Sequence, residues 1–144
     1  MRRYPSPYAS SISFGPGPLS TAIKALIAAN AVIFVFQHLV GLVEIFGLHP
    51  EQVVPPRLHI WQLATYMFLH GNVLHVLFNM LALWMFGTEL ERMWGTRYFL
   101  KFYFVTGIGA AVLTVMFSLL PLAASEELYY QSVVIGASGA IYGL

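Results

Sequence analysis

The chain contains no cysteine, no aspartate and few charged residues of any kind. The lack of cysteine excludes a disulfide framework and thiolate metal sites. Because aspartate is absent, a catalytic arrangement must use glutamate as its acid or work without a carboxylate. Only 9% of the 144 residues are charged and 58% are hydrophobic, whereas average usage in proteins is about 25% charged. This composition predicts a protein that crosses a membrane several times.

Several apolar stretches follow a polar tail. Residues 1–20 are rich in proline, glycine and serine, a composition that buries too little apolar surface to fold, so we expect a disordered tail. We expect residues 21–144 to form one membrane domain, an all-α bundle of transmembrane helices. The helices are predicted near 21–42, 61–87, 98–122 and 133–144, with an interfacial loop at 43–60. A cleaved signal peptide is the alternative for 21–42, but no small-residue cleavage site closes that long run.

The last apolar run, 133–144, is short for a membrane span. It provides about 18 Å of helix at about 1.5 Å per residue, against a hydrocarbon thickness of about 30 Å. We therefore expect the sequence to be the front part of a longer protein.

Basic residues are distributed unevenly about the predicted helices. The net charge is only +1, and the seven basic residues form no patch of the kind that binds nucleic acid. Six lie on one side: Arg2, Arg3, Lys24, Arg92, Arg97 and Lys101. The positive-inside rule makes that side cytoplasmic and leaves Arg57 on the outer side. We therefore expect a cytoplasmic N-terminus, with His70, Asn72 and Ser138 close to the outer side.

Polar side chains interrupt the second apolar stretch. His75 and Asn79 are four residues apart, so they share a helical face, and Asn72 shares it too. One hypothesis is hydrogen bonding between helices. A second is a metal site, although the five-residue spacing of His70 and His75 fits one face poorly and the glutamate of H-E-x-x-H is missing. A third is an oxyanion hole, which stabilises the negative charge that develops during acyl transfer.

Ser138 lies among small residues in the last apolar run. It is either a cap or packing residue, or a nucleophile whose hydroxyl is left approachable by Gly136 and Gly139. Tyr142 lies one turn further along the same face. Gly139 and Gly143 have the G-x-x-x-G spacing that lets another helix approach closely. Ala140 breaks the G-x-S-x-G pattern, which disfavours the soluble hydrolase turn.

At these positions the chain resembles the rhomboid family of intramembrane serine proteases. The resemblance covers roughly residues 43–144 and rests on an ordered set of motifs. These are LHVLFN at 74–79 with His70 before it, ERMWGT at 91–96, and GASG at 136–139 with Tyr142 after it.

The resemblance implies a core of six helices, of which about three and a half are present. It implies that Ser138 attacks the scissile carbonyl while His75, Asn79 and the Ser138 N–H hold the oxyanion. The family's base is a histidine on the sixth helix, and Tyr142 matches the tyrosine that stacks beside it. The Ser-His dyad needs no aspartate, cofactor or metal. The expected partners are transmembrane protein substrates and membrane lipid.

The sequence departs from the family pattern at two places. Gln62, after Trp61, replaces an arginine of the family's first loop, so the function of that arginine is not carried over to this chain. Glu91, by contrast, matches a structural carboxylate of the family. In addition, no histidine follows Ser138. On spacing alone His75 or His70 remains open as the base, although the resemblance assigns His75 to the oxyanion. We expect the base beyond Leu144, and the 144 residues alone to be inactive.

The preferred hypothesis is thus an intramembrane serine endopeptidase of a bacterial inner membrane, with an active site that opens to the outer side. The alternative is a non-catalytic rhomboid-like protein that binds membrane clients. Such a protein would be expected to lose the serine or the oxyanion residues, which are present here. A small transporter or scaffold is supported only by the intramembrane polar residues.

Overall fold

The computed structural model describes residues 17–119 and 132–144, and this part of the chain is built from helices. They are α1 (Thr21–Val40), α2 (Leu42–Phe46), α3 (Pro50–Val53), α4 (Gln62–Thr65), a 3-10 turn (Tyr66–Phe68), α5 (Val73–Ala82), a π-helical turn (Leu83–Gly87), α6 (Thr88–Trp94), α7 (Thr96–Ser118) and α8 (Ser138–Ile141). Most of the predicted tail, residues 1–16, lies outside the described residues.

Within the described residues, two continuous helical segments are long and apolar enough to cross a membrane, judged by length and composition. The segment Val73–Trp94, which joins α5, the π turn and α6, has 22 residues and a mean hydropathy of 1.5. Helix α7 has 23 residues and a mean hydropathy of 1.7. Helix α1 has 20 residues, of which Thr21–Gln37 form a shorter apolar stretch. The prediction of an all-helical membrane protein is therefore confirmed.

Local sequence accounts for both ends of α1. The Ser20 hydroxyl accepts a hydrogen bond from the Ile23 N–H at 3.1 Å, which caps the first turn. Gly41 ends the helix in the left-handed conformation, at φ 61°, which glycine adopts without steric cost. Helix α1 therefore occupies nearly all of the predicted span 21–42.

The second predicted span, 61–87, has different bounds in the structure. Helix α4 and the 3-10 turn end at an extended Leu69, and the membrane-length helix begins only at Val73. The Asn72 side chain accepts a hydrogen bond from the His75 N–H at 2.8 Å and so starts a new helix there. Apolar composition alone does not distinguish residues 62–69 from a span, which is why the predicted start was early.

The same helix also ends later than predicted. Residues 88–94, which fall in the gap between the predicted spans 61–87 and 98–122, form α6, and the helix stops at Gly95 with φ 79°. Helix α7 follows directly at Thr96 and ends at Ser118, whereas the predicted end of this span, 120–122, lies outside the described residues.

The last predicted helix is also shorter than expected. Leu48 and Val134 exchange two backbone hydrogen bonds, of 3.0 and 2.9 Å, in an isolated antiparallel bridge. Gly136, at φ 126°, then turns the chain into α8. The stretch that leads to Ser138 is therefore extended backbone anchored on the first loop.

Small residues allow α8 to pack closely on α7. A β-carbon added to Gly139 would lie 2.7 Å from the Tyr66 hydroxyl and 2.9 Å from the Ala110 β-carbon. One added to Gly143 would lie 2.5 Å from the Thr106 β-carbon. The two glycines thus permit the close helix approach that their spacing predicts.

Glu91 joins three elements at the far end of the Val73–Trp94 helix. Its carboxylate accepts a hydrogen bond from the Ser20 hydroxyl at the start of α1. It also accepts one from the Thr96 hydroxyl at the start of α7, at 2.7 Å. Glu91 is buried, so this carboxylate holds helix ends together and lies remote from Ser138.

Candidate active site

Ser138, His75 and Asn79 line one cleft of about 620 Å³ between α5 and α8. The structure thus brings together the three residues that the sequence singled out. Tyr142 also lines this cleft, together with Asn72, Leu74, Phe78, Ala82 and Ile141. The cleft is therefore lined by both apolar and polar side chains.

Helix α5 places His75 and Asn79 in this cleft because residues four apart share a helical face. Asn72 caps the helix through its side-chain oxygen. It therefore fixes where the first turn begins, and so where His75 points.

The His75 ring is held between the backbone before α5 and the turn before α8. The Gly71 N–H donates a long hydrogen bond, 3.4 Å, to His75 Nδ1. In a neutral ring, this contact favours the tautomer that carries the hydrogen on Nε2. A β-carbon added to Gly136 would lie 2.7 Å from Nε2 and 3.7 Å from the Ser138 Oγ. The imidazole Nε2 and the serine hydroxyl therefore both lie next to Gly136.

Gly136 is required at this spot for two reasons. Its φ of 126° is a conformation that side chains of L-residues rarely adopt. A β-carbon there would also displace the His75 ring.

Asn79 is buried, and its Nδ2 has no hydrogen-bond partner within the part of the chain that the structure describes. Buried donors without partners are rare in native proteins. Asn79 also lines the cleft beside Ser138, so its amide without a partner lies close to where a bound molecule would sit.

His70 lies behind His75 and does not line the cleft. Its ring is fully buried, 5.0 Å from the His75 ring between centroids and at 71° to it. Burial, together with the neighbouring His75, lowers the pKa of His70 to about 4, so the ring is neutral at pH 7. Among the described residues, no group of three or more His, Asp or Glu side chains is arranged to hold a metal ion.

Gln37, which the sequence analysis did not single out, holds the backbone of His70. Its Nε2 donates to the His70 carbonyl, and its Oε1 accepts the His70 N–H at 3.0 Å. The signal that could have identified it is a glutamine in an otherwise apolar run, since polar groups at membrane depth are costly.

Gln62 anchors the first loop, residues 43–60, against α4. This fully buried side chain accepts the His49 N–H at 3.0 Å and donates to the Gln52 Oε1 at 3.0 Å and the Ile45 carbonyl at 3.3 Å. Here the glutamine ties together three points of the loop where the resemblance places an arginine.

Trp61 and Tyr142 are more exposed. The Trp61 indole donates to the Ile45 carbonyl at 3.1 Å and stacks on His59 at 4.6 Å between centroids. The Tyr142 N–H closes the last turn of α8 on the Ser138 carbonyl at 2.8 Å, while its side chain is 91% exposed at the cleft.

The comparisons with known proteins all indicate the same family. The Rhomboid domain matches residues 57–144. The chain is 41% identical over 83 residues to Rhomboid protease GluP of Bacillus subtilis (strain 168), covering 58% of this chain and 14% of that protein. It is 35% identical over 88 residues to Rhomboid protease AarA of Providencia stuartii, covering 58% and 31%.

A plant protein, RHOMBOID-like protein 2 of Arabidopsis thaliana, is 33% identical over 84 residues, covering 58% of this chain and 23% of that protein. The chain thus spans less than a third of the length of each of these relatives. The domain match covers well over half of the chain and includes each residue that lines the cleft. By that match, the chain belongs to the rhomboid family.

Proposed function

We propose that this chain carries the nucleophile and the oxyanion-binding groups of a rhomboid serine endopeptidase. The whole protein would hydrolyse peptide bonds in or beside the membrane helices of its substrates. The observation that carries the proposal is the cleft in which Ser138, His75 and the unpaired Asn79 amide meet. The rhomboid proteases among its relatives support the same chemistry.

In this mechanism the Ser138 Oγ attacks the scissile carbonyl carbon. A C–O bond forms as the carbonyl π electrons move to the oxygen. The resulting oxyanion accepts hydrogen bonds from His75 Nε2–H, Asn79 Nδ2–H and the Ser138 backbone N–H. Donors already aimed at that oxygen stabilise the transition state more than the ground state. The serine proton passes to the base histidine of the dyad. When the oxyanion collapses, the C–N bond breaks and the leaving amine takes this proton; water then hydrolyses the Ser138 ester.

The hydrogen-bond geometry of His75 supports its assignment to the oxyanion and disfavours it as the base. A neutral ring whose Nδ1 accepts from Gly71 carries its hydrogen on Nε2. That nitrogen can donate to an oxyanion but cannot take up the serine proton. His70 is buried behind His75, and it does not line the cleft.

A serine hydroxyl needs a base within hydrogen-bond reach, because it is a weak nucleophile on its own. Residues 139–144 supply none. We place the base histidine of the dyad beyond Leu144, as the family resemblance implies, and we expect the 144 residues alone not to cleave.

We further propose that the cleft opens to the outer side of a bacterial inner membrane and that the N-terminus is cytoplasmic. The Ser20–Glu91 hydrogen bond supports this orientation, because it brings the start of α1 beside the α6–α7 turn. Lys24 and Arg97 therefore lie towards one end of the bundle, as the positive-inside rule requires of a cytoplasmic face.

The serine tests the proposal directly. In the full-length protein encoded by the gene, purified in detergent with a transmembrane reporter substrate, Ser138→Ala should abolish cleavage and labelling by a fluorophosphonate. Its thermal unfolding should match that of the parent protein, since the Ser138 hydroxyl makes no hydrogen bond among the residues that the structure describes. Ser118→Ala is the matched control, because in the same part of the chain its hydroxyl bonds within α7, to the Val115 carbonyl.

Unchanged cleavage by the Ser138→Ala protein would refute the mechanism. A folded parent protein that retains membrane clients but neither cleaves nor labels would instead favour the non-catalytic, client-binding alternative.

A further inference from the structure

Gln37 makes a two-point contact with the backbone of His70, a residue 33 positions away in the chain. The glutamine lies near the end of α1 and is 4% exposed. Its amide donates to the His70 carbonyl and accepts from the His70 N–H. Both polar ends of this buried side chain are thus used on a single residue.

This contact fixes a segment that lacks helical support. Residues 69–72 separate the 3-10 turn from α5, and Leu69 is extended there, at φ −96° and ψ 146°. Backbone groups in such a break need partners from elsewhere in the protein when they are buried. For His70, those partners come from the Gln37 side chain.

The contact extends to His75 through one peptide unit. The His70 carbonyl and the Gly71 N–H belong to the same planar peptide, so fixing the carbonyl also fixes the direction of the N–H. That N–H donates to His75 Nδ1. The chain of hydrogen bonds therefore runs from Gln37 Nε2 to the His70 carbonyl, and from the Gly71 N–H to the His75 ring.

The His70 ring provides a second contact with His75. It is fully buried and packs edge-on against the His75 imidazole, with the centroids 5.0 Å apart. Since Gln37 holds the His70 backbone on both sides of its α-carbon, it also fixes where this ring stands. Both contacts restrict the rotation of His75 about its side-chain bonds.

We propose that Gln37 is a positioning residue for His75. By fixing the His70–Gly71 peptide, it holds His75 in the orientation and tautomer that present Nε2–H to the cleft. The inference rests on the proposed function of His75 in the oxyanion hole. Gln37 itself does not line the cleft and acts only through His75.

A purely structural role, in which Gln37 only packs α1 against its neighbours, is the competing explanation. Asn30 offers a matched control on the same helix. It is fully buried, and its amide donates to the Leu26 carbonyl of α1 itself, at 2.8 Å. Asn30→Leu therefore removes a buried amide whose hydrogen bond lies within α1 and not with the segment before α5.

The test compares Gln37→Leu, Gln37→Met and Asn30→Leu in the full-length protein with a transmembrane reporter substrate. Misplacing a donor that acts in the transition state lowers kcat more than it changes KM. We expect Gln37→Leu to lower kcat by about 10-fold or more with KM within about twofold. Asn30→Leu should leave both within about twofold. Gln37→Met, which fills a similar volume with a flexible apolar chain, serves if the leucine variant does not fold.

A double-mutant cycle separates positioning from general destabilisation. If Gln37 acts through His75, adding Gln37→Leu to His75→Ala should lower kcat by less than about twofold further. A full additional loss in that background would overturn the inference. The inference would also be overturned if both Gln37 variants had a kcat within twofold of the parent while Ser138→Ala was inactive. In that case the proposed function would stand. Cleavage by Ser138→Ala would overturn the proposed function and this inference with it.

Discussion

Two asparagines on helix α5 show how differently the same side chain is used. The Asn72 oxygen accepts the His75 N–H at 2.8 Å and caps the helix. The Asn79 amide nitrogen, seven residues later, has no partner in the described part of the chain. A buried donor left without a partner costs about 1–3 kcal/mol. The proposed binding of an oxyanion would give this buried amide a partner.

At the residue scale we expect Asn79→Ala to lower kcat by about 100-fold, because it removes one proposed oxyanion donor. The midpoint of thermal unfolding should not fall, since the variant removes a buried donor that has no partner among the described residues. Asn72→Ala is the matched comparison and should instead destabilise the protein by about 1 kcal/mol through loss of the cap. Cleavage kinetics and thermal unfolding in detergent measure both effects. A large loss of stability in the Asn79 variant with little change in kcat would contradict this assignment.

At the scale of elements, the position of Ser138 depends on how α8 packs on α7. Gly107, buried in α7, lies against Met67 and Ala140. Gly139 in α8 lies against Tyr66 and Ala110. Helices packed through such small residues gain close van der Waals contact. This contact matters in a membrane, because burying apolar side chains there does little to drive helix association. The Tyr66 hydroxyl also donates to the Gly107 carbonyl, at 2.8 Å.

Two glycine-to-alanine changes test this packing. Gly139→Ala should destabilise the protein by about 1–3 kcal/mol, because the new methyl group would overlap Tyr66 and Ala110 and force the helices apart. Gly109→Ala in α7 is the control, since nothing lies within 4 Å of its added β-carbon. It should stabilise α7 by about 0.5–1 kcal/mol through its better helix propensity.

Thermal unfolding of the two variants in the same detergent measures the difference. Equal shifts in the two variants would show that α8 does not pack on α7 through Gly139.

At the scale of the whole molecule, long-range contacts distinguish the two ends of the bundle. Ser20 and Glu91 join the start of α1 to the α6–α7 turn. At the other end, the Leu48–Val134 bridge ties the first loop to the segment before Ser138. The basic residues follow this division, since Lys24 and Arg97 belong to the first end and Arg57 to the second.

These 144 residues contain no cysteine, so a single cysteine introduced here can be labelled in a protein whose remaining cysteines, where present, are replaced. We expect Arg57→Cys to react with a membrane-impermeant maleimide in intact cells, and Glu89→Cys to react only after the membrane is opened. Both positions are exposed, and their ion pairs, Arg57 with Glu51 and Glu89 with Arg92, contribute little to stability. The reverse labelling pattern would invert the proposed topology.

Local information was sufficient for the protein class, and it singled out residues that the structure brings together in one cleft. Composition and apolar run length predict membrane helices, because spanning depends on length and hydropathy alone. The spacing of His75 and Asn79 predicts a shared face, because it follows from helical geometry. The motifs around Ser138 then indicated the family, which the Rhomboid domain match confirms.

Tertiary structure decided what local pattern does not encode. The break before α5, the free amide of Asn79 and the contact of Gln37 with His70 depend on where other segments pack. Gln62 became an anchor of the first loop only because the loop folds back over α4. The physical reason is that each of these features satisfies, or leaves unsatisfied, a buried polar group through partners distant in the chain. Sequence determined which side chains could form the site, and packing determined which of them were left free to act.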